Sequence, residues 1–121
     1  VIAMSACTDS NYASQYQLPG TFAPTASYEL VARAVEVAKE QGTPVRVGSV
    51  VSSDAFYGDN PESSKAWRKM ECAALFMNAA RAGKEALGIL TISDHVFRDE
   101  AISAEARQTS FNRMMEIALG I

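Results

Sequence analysis

The 121-residue sequence has few of the side chains that most often bind metal ions or form covalent cross-links. It contains two cysteines and one histidine. Cys7 and Cys72 lie far apart, and no CxxC pair or histidine cluster accompanies them. This pattern argues against a zinc site and a disulfide framework, and it is typical of proteins from a reducing compartment. We therefore expect a cytoplasmic protein without a metal site.

The sequence also lacks long apolar runs and an excess of positive charge. No apolar stretch approaches the roughly 20 residues that a membrane-spanning helix requires. No basic segment followed by an apolar run opens the sequence, so we expect no signal peptide. The formal net charge is -3, and the lysines and arginines are scattered. Because nucleic acids and anionic membranes attract basic patches, neither is an expected partner.

The apolar residues that are present alternate between strand-like and helix-like spacing. The predicted elements are a strand at 1–4, a helix from 28 that stops at Gly42, a strand at 45–53, a helix at 70–83, a strand at 86–92 and a helix capped by Ser103. The stretch 94–102 is predicted to be a loop. This order predicts a single α/β unit over 1–121, with a mixed, mostly parallel sheet flanked by helices.

Polar residues concentrate where the predicted strands end, in the segments SACTDS, SSDAFY and TISDHV. Ligands of parallel α/β sheets usually bind beyond the carboxyl ends of the strands. We therefore expect the three segments to lie together at one edge of the sheet. No GxGxxG or P-loop motif is present, so the sequence indicates neither a dinucleotide site nor a P-loop phosphate site.

Several polar residues each allow a structural and a functional interpretation. Asp94 can be a general acid, although carboxylates at strand ends are also common in turns. His95 is not accompanied by a GxSxG motif, so we interpret it as a polar residue without a catalytic role. Glu71, at a predicted helix start, either complements the helix dipole or accepts two hydrogen bonds from vicinal hydroxyls. Arg107 opposes the dipole of the last helix, which hints at a partner carboxylate, although a surface arginine is also plausible. Phe56 can stack on a flat ring or cover the edge of the core.

Six stretches occur in an order that resembles a known family. They are SACTDSNY, FAPTASYELV, SSDAFY, MECAA, LTISDH and AEARQTSFNRMMEIAL. In this order they resemble the bacterial, high-molecular-mass (DeoD-type) purine nucleoside phosphorylases, and the combination of TISDH with RQTSFN is specific. The resemblance covers essentially the whole chain and corresponds to the carboxyl-terminal part of the family's single domain. It also implies a nucleoside phosphorylase-like fold, of which 1–121 would be one part.

The resemblance implies phosphorolysis, in which phosphate attacks the anomeric carbon of a purine (deoxy)ribonucleoside and releases the free base and (deoxy)ribose 1-phosphate. It implies that Asp94 donates a proton to purine N7 as the general acid, and that Arg107 pairs with this carboxyl group. The implied nucleoside-binding residues are Glu71 on the ribose hydroxyls, Met70 on the sugar and base, Phe56 near the base, and Ser93 and Ser53 beside it.

The resemblance also implies inorganic phosphate as co-substrate, no cofactor, and a hexameric homo-oligomer. The family's phosphate-binding residues belong to the half that these stretches do not match. Two alternatives stay open. The chain could be a non-catalytic fragment that keeps part of the nucleoside pocket or an assembly surface. It could also resemble the methylthioadenosine-type nucleosidases or uridine phosphorylases of the same superfamily. The RQT stretch argues against the nucleosidases, and the Asp directed at purine N7 argues against the uridine phosphorylases.

Overall fold

The computed structural model of the chain describes residues 1–53, 71–95, 100–101 and 103–121. Within these ranges, the description of 94–95, 100–101, 104 and 107–110 is of the backbone. The elements in chain order are β1 (Ile2–Thr8), a 3-10 helix (Tyr12–Tyr16), α1 (Tyr28–Glu40), β2 (Val47–Ser52), α2 (Cys72–Arg81), β3 (Gly88–Ile89), β4 (Asp94–His95), β5 (Glu100–Ala101) and α3 (Ala104–Leu119).

The three-stranded sheet has β1 at its centre, in the order β2-β1-β3. Strand β1 pairs with β2 in parallel along its whole length, from Ile2 opposite Val47 to Thr8 opposite Ser52. It pairs with β3 in the antiparallel direction, with Ile2 opposite Ile89. The predicted mixed α/β sheet is therefore confirmed, and its parallel ladder is the longer of the two.

Three predicted boundaries differ from the structure. The strand predicted at 86–92 is limited to Gly88–Ile89, because only these two residues pair with β1. Strand β1 was expected to end at Met4, but it continues to Thr8, because ladder hydrogen bonds need no apolar side chains and β2 offers a matching strand. Ser5 and Ser49 add a cross-strand hydroxyl contact of 2.7 Å. The stretch 94–102 was predicted to be a loop, but β4 and β5 within it pair as two short antiparallel strands.

Helices cover both faces of the sheet. Successive strand residues point to opposite faces, and the neighbours Ile2 and Ala3 belong to two different core clusters. Ala3 packs with Phe76 and other residues of α2. Ile2 packs with residues of α1 and with Ile117 of α3. The sheet therefore lies between α2 on one side and the pair α1 and α3 on the other.

The predicted helix signals are mostly local and mostly correct. Helix α1 begins directly after Ser27, and Gly42 follows its end with a φ of 65°. The Ser27 hydroxyl donates to Glu85 at 2.9 Å and makes no capping bond to its own helix. Ser103, by contrast, caps α3 as predicted, because its Oγ accepts a hydrogen bond from the amide of Ala106 at 3.1 Å.

Candidate functional site

The carboxyl ends of β1 and β2 are joined by side chains as well as by the backbone ladder. The hydroxyl of Ser53 donates a hydrogen bond to Oδ2 of Asp9 at 2.7 Å. Asp9 follows the last residue of β1, and Ser53 follows the last residue of β2. Two of the three polar segments that the sequence indicated, SACTDS and SSDAFY, therefore meet at one edge of the sheet.

The backbone around Asp9 is held by hydroxyl groups on either side of it. The amide of Ser10 donates to Oγ1 of Thr8 at 3.0 Å, and the amide of Tyr12 donates to Oγ of Ser10 at 3.1 Å. Such short side-chain to backbone bonds stabilise turns in place of a regular ladder. They connect the end of β1 to the start of the 3-10 helix, on either side of Asp9.

The 3-10 helix is anchored to α2 through tyrosine side chains. The phenol of Tyr12 donates to Oδ1 of Asn78 at 2.9 Å, and the phenol of Tyr16 donates to that of Tyr12 at 3.0 Å. The guanidinium of Arg81 lies 3.9 Å from the centre of the Tyr16 ring. Because Tyr12 accepts this bond from Tyr16, the pKa of Tyr12 is lowered, and the pKa of Tyr16, the donor, is raised.

The start of α2 is capped by a residue from β2. Glu71 occupies the N-cap position, but its side chain makes no capping hydrogen bond. Instead, Oγ of Ser52 accepts a hydrogen bond of 2.9 Å from the amide of Ala73. Ser52 is buried, with 8% of its surface exposed. The end of β2 and the beginning of α2 are thereby connected directly.

This connection places the predicted ribose-binding residue beside the joined strand ends. Glu71 is two residues before Ala73, and Ser53 follows Ser52, so the capping bond brings the two predicted site residues into one region. The side chain of Glu71 is exposed. The next residue, Cys72, is buried, and burial together with the negative charge of Glu71 raises the pKa of its thiol.

The third polar segment follows a strand that runs in the opposite direction to β1, which we did not expect. Because β3 is antiparallel to β1, Ile89 lies beside Ile2 at the amino end of β1. Strand residues advance about 3.3 Å each, so this pairing is roughly 20 Å along β1 from its carboxyl end. Ser93, which is partly buried, follows β3 and precedes Asp94 in β4. The assumed parallel direction of this strand was wrong, because period and composition do not indicate strand direction. Whether Ser93 and Asp94 reach the ends of β1 and β2 stays a prediction.

The remaining predicted residues are placed to different extents. The backbone of Arg107 lies in the first turn or so of α3, as predicted. The backbone of Asp94 pairs with Ala101, and the predicted contact between the two side chains stays a prediction. Phe56 and Met70 lie outside the described residues. Sequence reasoning missed Ser52 and Asp9, although the polar segments that contain them had been noted.

Two further features of the described residues bear on chemistry. Within residues 1–53, 71–95, 100–101 and 103–121, no three histidine, cysteine or carboxylate residues come together as a metal-binding group. An apolar groove of about 340 Å³ has a lining without charged or hydroxyl groups, which consists of Leu30, Leu87, Ile89, Met114, Met115, Ala118 and Ile121. The groove can contribute packing but no proton transfer.

None of the described helices has the length and apolar character needed to cross a membrane.

The structure thus defines an α/β protein with polar side chains assembled where parallel strands end. The sequence profile of the Phosphorylase superfamily matches residues 1–120. The chain therefore belongs to the Phosphorylase superfamily.

Curated relatives and a solved structure narrow the comparison. The chain is 50% identical over 126 residues to a DeoD-type purine nucleoside phosphorylase of Clostridium beijerinckii, covering 98% of the chain and 53% of the relative. It is 44% identical to the corresponding protein of Bacillus cereus, with coverage of 98% and 54%. The chain spans about half the length of these relatives.

The fold resembles that of purine nucleoside phosphorylase from Toxoplasma gondii, solved in complex with immucillin-H. The TM-score is 0.81 over 98% of the chain and 52% of that structure, and the sequence identity is 22%. This similarity supports the fold, including the mixed sheet between two helical layers.

Proposed function

We propose that the chain provides the nucleoside-binding part of a purine nucleoside phosphorylase. The two curated relatives described above carry that name. The observation that carries the proposal is the exposed carboxylate of Glu71 beside the joined ends of β1 and β2. An ionised carboxylate accepts two hydrogen bonds side by side, which suits the 2′ and 3′ hydroxyls of ribose.

The proposed reaction exchanges one bond at the anomeric carbon for another. The bond between C1′ and N9 of the purine breaks, a phosphate oxygen bonds to C1′, and the sugar passes through an oxocarbenium-like state. A purine anion is a poor leaving group, so protonation at N7 by Asp94 stabilises the transition state more than the ground state. Arg107, from the first turn or so of α3, pairs with Asp94 and favours proton transfer. The chemistry requires phosphate as co-substrate and no organic cofactor.

The proposed enzyme is completed by parts that this chain does not supply. The relatives are about twice as long as the part that the chain matches, and the family resemblance implies that the phosphate site belongs to their other half. Exposed apolar side chains on the described surface, such as Leu119 at 88% and Met115 at 48%, are suited to burial in a larger assembly. We propose a homo-oligomer, a hexamer as the family resemblance implies, acting in the cytoplasm.

A second candidate function rests on the same exposed carboxylate. Glu71 could hold a nucleoside without phosphorolysis taking place. A nucleosidase of the same superfamily would instead use water in place of phosphate. The three possibilities differ in their requirement for phosphate and in their products.

The test is to incubate the protein with inosine or adenosine, with and without phosphate, and to measure free base and ribose 1-phosphate. Phosphorolysis predicts that base appears only with phosphate. If free base and free ribose form without phosphate, the protein is a nucleosidase. If the nucleoside binds but is not converted, the chain has a non-catalytic binding role. Asp94→Asn should lower turnover by about 100-fold or more while the nucleoside dissociation constant changes little. Glu40→Gln, an exposed carboxylate on α1, is the matched control, and unchanged turnover in Asp94→Asn would refute the role of Asp94.

A further inference from the structure

The capping of α2 is divided between two residues that are distant in the sequence. Glu71 holds the N-cap position, where serine, threonine, aspartate or asparagine is usual. A cap of the usual kind accepts a hydrogen bond from the second or third amide of its own helix. Here the second amide, that of Ala73, donates to Ser52 of β2. The second amide of the helix is therefore satisfied without the Glu71 carboxylate.

We propose that Ser52 is the positioning residue for Glu71, and that it keeps this carboxylate directed at the ribose hydroxyls. The inference rests on the proposed function, because it assigns the ribose to Glu71. An N-cap glutamate that accepted the Ala73 amide would have one oxygen turned back onto the helix. Ser52 satisfies that amide first, so both oxygens of Glu71 stay available for a sugar with vicinal hydroxyls.

The burial of the capping bond makes this arrangement difficult to replace. Ser52 is 8% exposed, and Ala73 is 6% exposed. Because water reaches the Ala73 amide poorly, removal of the Ser52 hydroxyl leaves a buried donor without its acceptor, which is costly. The nearest carboxylate along the chain is that of Glu71. We therefore expect Glu71 to turn toward the helix in Ser52→Ala and to lose its orientation for the sugar.

The packing of α2 keeps the rest of the helix in place when the cap changes. Phe76 is 1% exposed and Cys72 is 5% exposed, and both belong to the core cluster that includes Ala3 and Val50 of the sheet. The loss of one hydrogen bond should therefore alter the first turn and leave the helix docked. This makes an effect on ligand orientation separable from an effect on folding.

The test compares inosine with 2′,3′-dideoxyinosine, which lacks the hydroxyls assigned to Glu71. Dissociation constants are measured by calorimetry for the protein and for Ser52→Ala, Glu71→Gln and the double variant, with folding checked by circular dichroism. Ser52→Ala should weaken inosine binding by about 10-fold, the loss of one hydrogen bond to a charged group. It should leave dideoxyinosine binding nearly unchanged, and it should add nothing on the Glu71→Gln background.

Two further serine variants complete the design. Ser49→Ala removes a hydroxyl that also lies on β2 and bonds to Ser5, and it should leave the ratio of the two affinities unchanged. Ser52→Cys keeps the size of the side chain but is a weaker acceptor, so it should give an intermediate ratio. If Ser52→Ala does not fold, the comparison is made with Ser52→Cys instead.

The outcomes separate this inference from the proposed function. If the unaltered protein binds inosine and Glu71→Gln weakens that binding, the ribose site stands. An equal loss for inosine and dideoxyinosine in Ser52→Ala would then overturn the positioning role alone, as would a full effect of Ser52→Ala on the Glu71→Gln background. If the unaltered protein fails to bind inosine, the proposed function and this inference both fail.

Discussion

The Ser53 hydroxyl lies 2.7 Å from the Asp9 carboxylate, and this contact joins residues that are 44 positions apart in the chain. A double-mutant cycle with Asp9→Ala and Ser53→Ala should measure a coupling of about 0.5–1.5 kcal/mol in the free energy of unfolding. Both residues have further interactions, so each single variant should cost more than the coupling. Urea unfolding of the four proteins gives these values, and strictly additive effects would show that the bond contributes nothing.

Gly88 is expected to tolerate no side chain while Cys72 is present. A Cβ atom at position 88 would lie 2.6 Å from Sγ of Cys72 and 3.2 Å from Cβ of Ala3. Gly88→Ala should therefore lower the free energy of unfolding by about 1–3 kcal/mol. Cys72→Ala removes the closest atom, so the double variant should be more stable than the sum of the single effects predicts. A Gly88→Ala protein as stable as the parent would contradict the tight contact.

Phe76 and its neighbour Leu75 provide a matched pair of substitutions on α2. Phe76 is 1% exposed and packs against both parallel strands, whereas Leu75 is 46% exposed. Phe76→Ala should cost about 3–5 kcal/mol because a cavity remains in the core. Leu75→Ala should change stability by less than about 1 kcal/mol. Thermal or urea unfolding distinguishes the two, and similar losses would show that the helix faces are wrongly assigned.

The two thiols should react at very different rates. Cys7 is exposed and Cys72 is buried. Burial, and to a smaller extent the negative charge of Glu71, raises the pKa of the Cys72 thiol. Thiolates are the reactive form, so a disulfide reagent at neutral pH should modify Cys7 quickly and Cys72 slowly. Cys7→Ser should abolish the fast phase. A fast phase that persists in Cys7→Ser would contradict the burial of Cys72.

The raised pKa of Cys72 also predicts a loss of stability at alkaline pH. The folded chain holds this proton to a higher pH than the unfolded chain, whose thiol has a pKa of about 8.5. The contribution to stability is therefore complete below that pH and is lost as pH rises through the folded pKa. Under reducing conditions, the stability difference between the parent and Cys72→Ala should shrink as pH increases from 7.5 to about 10. A difference that does not depend on pH would contradict the shift.

The parts of the fold that local sequence determines were predicted well. Helix α1 stops before Gly42, and α3 follows its cap at Ser103, because a few neighbouring residues set these boundaries. The extent of β1 was underestimated, because its second half pairs with β2 through the backbone and needs no continuous apolar run.

The candidate site was predicted only in part, because it depends on contacts between distant segments. The polar ends of β1 and β2 were identified, but not the hydrogen bonds that join them. The direction of β3 could not be read from its apolar run, which looks the same in a parallel and an antiparallel strand. The role of Ser52 required knowing that the end of β2 lies against the first turn of α2.

The position of β1 at the centre of the sheet has a consequence for how the protein is made. Ile2 pairs with Val47 on one side and with Ile89 on the other, so β1 is synthesised before either partner. At bacterial and eukaryotic elongation rates, β1 spends on the order of 10 s without its antiparallel neighbour. During that interval, its apolar residues and its open backbone edge can pair with other nascent chains. The yield of folded protein should therefore depend on what shields β1 during translation, and a slower ribosome would lengthen the period of risk.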